Sequence, residues 1–187
     1  MSSPAFLPLV MMSIVAPIGA VDVLYFHIWK FRLHARAESR AETATHIVRE
    51  LLMAVVVFLL ANYEPRGGWF LIVAAAMAFD VVNNVADVAL EPASRARVGG
   101  LPRAEYVIHI IGATAGGAFS AGYVAVALGL GLATAPTLLG PAHGLPSWLV
   151  WNANALAVGS VALAVLEAFL LVRALPRRGV TARDEAT

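Results

Sequence analysis

The chain has 187 residues, of which 60% are hydrophobic and only 13% charged, with a formal net charge of +1. That balance lies far from an ordinary soluble domain and reads as an all-α integral membrane protein. The absence of cysteine excludes disulfides, thiolate metal sites and cysteine nucleophiles.

Five apolar stretches reach the roughly 20 residues that a membrane-spanning helix needs. In chain order they predict spans over residues 7–31, 43–62, 69–90, 104–132 and 148–172. Residues 1–20 carry no Lys or Arg. They therefore lack the basic segment of a signal peptide and are expected to be retained. After the first span, residues 30–42 are charged, and Arg32, Arg36 and Arg40 are spaced to share one face of an interfacial turn of helix against lipid phosphates. Residues 62–68 read as a short turn. Pro92, Gly99, Gly100 and Pro102 predict that residues 91–103 form a helix-breaking connection. Residues 135–146 read as a Pro/Gly-rich loop. Residues 1–174 form a single transmembrane domain, and 175–187 a disordered cytoplasmic tail.

Basic residues set the orientation. Lys30, Arg32, Arg36, Arg40, Arg95, Arg97, Arg103, Arg173, Arg177, Arg178 and Arg183 fall on one side of a five-span topology, and Arg66 alone falls on the other. The positive-inside rule then places the N-terminus outside and the C-terminus in the cytoplasm of a plasma (inner) membrane protein. Trp29, Trp69, Trp148 and Trp151 lie near span ends, as interfacial anchors do. In the fourth span Gly112, Gly116, Gly117, Ala118, Ala121 and Gly122 are spaced to let a helix approach closely. Packing within the chain is the expected use, and a homodimer through this face the alternative.

One pattern occurs twice. Arg40, Ala41, Glu42, His46, Ile47 and Val48 are echoed by Arg103, Ala104, Glu105, His109, Ile110 and Ile111. Each copy opens an apolar span, and residues four apart share a helical face. Asp22-Val23 precedes the first copy and Asp87-Val88 the second, at spacings that differ by two residues. Each half is thus a helical hairpin, over residues 7–62 and 69–132. Two tandem hairpins predict a four-helix core with pseudo-twofold symmetry, in which each acidic helix faces the other half's Glu/His helix; the fifth helix is added to it.

Ionisable groups are costly in lipid and need a partner or a purpose. Taking about 1.5 Å per residue, His27, His46, Glu91, His109 and Glu167 lie roughly 5–10 Å below the cytoplasmic edge, and Asp22, Glu50 and Asp87 roughly 12–15 Å. Asp80 lies deeper, and Glu42 and Glu105 sit at the edge. Carboxylate-bridged di-metal bundles draw single carboxylates from two helices and Glu/His pairs from two others. The layout here resembles that, although Glu-x-x-x-His is one residue longer than their usual spacing. The metal-ligand candidates are Asp22, His27, Glu42, His46, Glu50, Asp87, Glu91, Glu105 and His109, supported by Arg49, Asp80, Asn84 and Glu167. Asp80, Asn84, Asp87 and Glu91 form one stripe. Asp22 and His27, about 140° apart on an α-helix, are not expected to point at one centre. Arg49 is expected to neutralise Glu50, Asp22 or Asp87, and Glu167 to support the site or pair with Arg173. His34 is expected to be exposed, and Asn152 and Asn154 to bond neighbouring helices at the opposite end.

Two divalent ions of iron, zinc or manganese suit such ligands. The expected function is a di-metal oxidoreductase or metal-dependent hydrolase acting on a lipid or small molecule. The alternatives are a metal-ion or proton transporter, a haem protein, or a non-catalytic membrane subunit. Nothing in the sequence suits a phosphate loop, a Ser/His/Asp triad or a nucleic-acid partner.

Overall fold

The computed structural model describes residues 3–132, 135–140 and 144–175. Of the tail expected over residues 175–187, all but Leu175 lies outside the described residues. Five long helices dominate: α1 (Phe6–Val21), which runs directly into a π-helical segment (Asp22–Lys30), α2 (Arg40–Asn62), α3 (Gly68–Arg95), α4 (Arg103–Leu132) and α5 (Ser147–Arg173). All five are long and apolar enough to cross a membrane. Their outward faces carry large apolar side chains such as Ile14, Val82, Val126, Val158 and Phe169. Lipid tails accept such a surface, and helices satisfy their own backbone groups there.

The helices form a closed circuit. α1 packs on α4, α4 on α3, α3 on α2, α2 on α5 and α5 back on α1, while α1 and α2 scarcely touch. The expected four-helix core with an added fifth helix is therefore replaced by a ring in which α5 separates the members of the first hairpin. Side-chain amides fasten α5 in that place. Asn152 donates to Ser13 Oγ of α1 at 2.5 Å. Asn62 and Asn154 exchange bonds between α2 and α5 at 2.8 and 3.3 Å. These are the interhelical bonds expected of Asn152 and Asn154, and in lipid they have no competing water.

The two ends of the ring differ. One half is a close-packed apolar core to which every helix contributes, including Leu9, Leu60, Phe70, Phe119, Tyr123 and Leu149. At that end β1 (Glu64–Arg66) pairs antiparallel with β2 (Thr137–Leu139). The other half holds the ionisable residues.

Four local expectations change. α3 continues past Leu90 to Arg95, with Pro92 inside it. The exposed proline removes one backbone bond, yet the turn is held because Arg95 is paired with Glu42 and Glu105 of other helices. Between the first two spans, Leu33–Ala35 and Ala37–Ser39 are separate 3-10 turns. Arg32 there adopts a left-handed conformation (φ 52°), and Arg36 Nε donates to the Phe31 carbonyl at 2.8 Å. Arg32, Arg36 and Arg40 thus share no continuous helical face. Among the described residues, no atom of another helix lies within 4 Å of where a Cβ would stand on Gly112, Gly116, Gly117 or Gly122. These glycines seat no neighbouring helix within the chain. The fourth change, at Asp22 and His27, shapes the polar layer.

Candidate metal centre

The polar layer is built from all five helices. The segment after α1 supplies Asp22 and His27, α2 Glu42 and His46, α3 Asp87, Glu91 and Arg95, α4 Glu105 and His109, and α5 Glu167. All are buried except His109, which is nearly so. Asp22 and His27 meet because residues 22–30 are π-helical. There each N–H reaches the carbonyl five residues back, as Phe31 N does to Phe26 O at 2.9 Å. Residues five apart therefore stack, and His27 Nε2 lies 3.6 Å from Asp22 Oδ2. The 140° separation expected from α-helical geometry does not arise.

The repeat is cross-paired. His46 of the first copy meets Asp87 of the second half, its Nε2 lying 3.1 and 3.2 Å from the carboxylate oxygens. His109 of the second copy meets Asp22 of the first half, Nε2 to Oδ2, at 2.9 Å. The second ring nitrogen of each is also matched. His46 Nδ1 lies 3.1 Å from His27 Nδ1, and His109 Nδ1 lies 2.7 Å from Glu91 Oε1. Thr45 Oγ1 donates to Asp87 Oδ1 at 2.5 Å and fixes that carboxylate.

Between the two halves lies Arg95, with no exposed surface. Its Nη1 donates to Glu42 Oε2 at 2.7 Å, and its other nitrogens to Glu105 Oε1. A guanidinium can only donate, so His27 Nε2, 3.1 Å from Nη2, accepts. The hydrogen of His27 then sits on Nδ1 and is donated to His46 Nδ1, which leaves the Nε2–H of His46 for Asp87. Glu42 and Glu105 are fully buried within the protein. Each gives one oxygen to Arg95 and keeps the other unbonded among the described residues.

Three groups of donor atoms lie within 4.8 Å of one another: Asp22, His27, Glu105 and His109; His27, His46 and Glu167; and Glu42, His46 and Asp87. Two atoms ligating one ion at about 2.1 Å stand about 3 Å apart when they subtend a right angle. The pairs described above have that spacing. Asp22 Oδ1, Glu91 Oε1, Glu105 Oε2, Glu167 Oε2 and His109 Nδ1 have no hydrogen-bond partner among the described residues. His109 Nδ1 and Glu91 Oε1 are close without the alignment of a hydrogen bond. Buried carboxylate lone pairs without donors suit a cation.

Other expected members stand apart. Glu50 is buried and neither of its oxygens is bonded; it lines an apolar cavity beside the layer. Arg49 pairs with Asp80 at 3.4 Å and with Asn84, rather than with Glu50, Asp22 or Asp87. Asp80 and Asn84 are thereby split from Asp87 and Glu91 on their common stripe. Glu167 joins the layer beside His27 and His46. His34 is partly buried outside the layer, where desolvation and then Arg32 lower its pKa. Arg95 is the residue the sequence reading missed. It lies four positions after Glu91 on the same stripe, but Pro92 had marked that stretch as a connection. No family model, curated protein or solved structure matches the chain.

Proposed function

We propose that the chain is a membrane-embedded metalloprotein that holds two divalent ions in the cross-paired layer and acts as an oxidoreductase or metal-dependent hydrolase on a lipid or small molecule. The observation that carries this reading is the repeat itself. Its two His/Asp pairs sit on either side of Arg95, with buried carboxylate oxygens unbonded around them. One ion falls among Asp22, His27, Glu105 and His109, and the other among Glu42, His46 and Asp87. Six carboxylates in the layer face one guanidinium and three imidazoles, an excess of negative charge that two divalent cations would offset. Iron, manganese or zinc suits the mixed nitrogen and oxygen donors. Iron would supply redox chemistry, and zinc activated water. On this reading the ring sits in the plasma (inner) membrane with the layer towards the cytoplasm, which the distribution of Lys and Arg supports.

The Arg95 contacts favour a second reading. The chain of bonds from Arg95 through His27 and His46 to Asp87 is complete without an ion. On that reading the layer is a structural ion-pair network in a non-catalytic subunit. Transport is less favoured, because the apolar core fills the other half of the ring. Haem is disfavoured by imidazoles that contact each other and carboxylates.

Elemental analysis of purified protein tests the proposal. Two equivalents of iron, zinc or manganese are expected, with loss in both His46→Ala and His109→Ala. Protein that folds with unchanged stability and carries no metal under expression in metal-replete medium would leave the ion-pair network standing instead.

A further inference from the structure

A cavity of about 540 Å³ runs alongside the polar layer within the helix ring. Its volume lies in the range of small-molecule sites. The walls are apolar, with Met12 on α1, Met53 on α2 and Leu163 on α5 among them. Gly112 and Gly116 of α4 form part of the wall, and the space that their missing side chains leave is open. The glycines of α4 therefore have a use that helix packing did not provide. Along α1 the lining runs from Met12 to Asp22, a length of about 15 Å at the helical rise.

The cavity has a polar end and a side opening. At the polar end stand Asp22, His46 and Glu50, beside Arg49, which is paired with Asp80 on the same wall, and neither Glu50 oxygen nor Asp22 Oδ1 has a partner among the described residues. The lining residues that are also exposed all come from α1 with its π-helical continuation and from α5, such as Pro17, Gly19 and Leu24 on one side and Ala155, Gly159 and Leu166 on the other. The mouth thus lies between α1 and α5. In a bilayer-embedded ring, a mouth between two helices faces hydrocarbon rather than water.

We propose that this cavity binds a single hydrocarbon chain of a neutral, lipid-soluble molecule, which enters sideways from the bilayer between α1 and α5 and presents its functional carbon to Asp22, His46 and Glu50. This deepens the reading of the polar layer as a reaction site by naming its substrate class. The Asp22 and Glu50 carboxyl groups accept bonds from a hydroxyl and repel an anionic head group, while the Arg49 cation is already held by Asp80 and Asn84. A long-chain alcohol or an unfunctionalised chain fits, and a fatty acid anion or a phospholipid phosphate does not.

The test is photolabelling in membranes that contain the full chain, using a long-chain alcohol with a mid-chain diazirine and mapping adducts by mass spectrometry. Adducts are expected on Met12, Met53 and Leu163. In Gly112→Leu/Gly116→Leu the new side chains occupy the cavity, and these adducts fall roughly tenfold or more, about 1.4 kcal/mol of binding. Adducts on the outward-facing Val158 and Val165 remain. The corresponding fatty acid at neutral pH labels the interior more weakly. Adducts confined to outward-facing residues, interior labelling unchanged in the double variant, or equal labelling by the fatty acid would overturn the proposal. Metal content read on the same samples separates the two ideas. Interior adducts in metal-free protein keep this inference and remove the metal reading, whereas metal without interior adducts removes this inference alone.

Discussion

Arg95 brings five N–H donors into a space bounded by Glu42, Glu105, Ser94 and His27. Lysine cannot replace it, because a point charge with three donors does not span two carboxylates and an imidazole. Removing only the cation leaves two carboxylates buried without a counter-charge. Arg95→Gln is therefore expected to destabilise the protein by about 3–5 kcal/mol, read as a lower midpoint in thermal unfolding. Removing the whole group is milder, since an apolar replacement of a buried ion network is often neutral. Arg95→Leu with Glu42→Gln and Glu105→Gln should recover most of the midpoint. No recovery would mean that Arg95 contributes through something other than these two carboxylates. His34→Ala is the control. Its imidazole lies outside the polar layer, so metal content should stay at the wild-type value and stability within about 0.5 kcal/mol.

At the scale of the elements, the π-helical segment decides whether Asp22 and His27 act together. An α-helix would bring Phe26, four residues after Asp22, onto that face, and the segment brings His27 instead. Exchanging the two residues separates these geometries. Phe26→His/His27→Phe should stay helical by circular dichroism yet lose metal as fully as His27→Ala. Full metal content in the exchanged protein would show that residues 22–27 are α-helical in the membrane. The cross-pairing of Asp22 with His109 and of Asp87 with His46 was legible beforehand, because a repeat of acidic helix and Glu/His helix admits that arrangement. The meeting of Asp22 with His27 was not, because a hydrophobic pattern does not report a change from α to π geometry. Arg95 was hidden by a proline rule that holds for helix interiors in general. In α3 tertiary bonds made by Arg95 hold the turn around Pro92.

For the molecule as a whole, the five helices long and apolar enough to cross a membrane could be read from hydropathy, because lipid demands unbroken apolar helices. The order of helices around the ring could not. It depends on a few amides, Asn62, Asn152 and Asn154, whose partners are distant in sequence. The orientation can be checked directly, since the chain has no cysteine. Ala35→Cys and Arg97→Cys should react with an impermeant maleimide only from the cytoplasmic side, and Pro136→Cys only from the other. The reverse pattern would invert the topology. The packed core has a further consequence. It fills the half of the ring farther from the polar layer, where the β1–β2 pair also ties the α2–α3 and α4–α5 connections. The cavity mouth, at residues 17–24 of the first helix and 155–166 of α5, runs from the middle of the ring towards the layer. On the proposed reading, a hydrophobic molecule arrives and departs through the same seam. The product would then leave by the route through which the next molecule enters, so lateral escape into the bilayer, rather than chemistry, would set the pace of turnover.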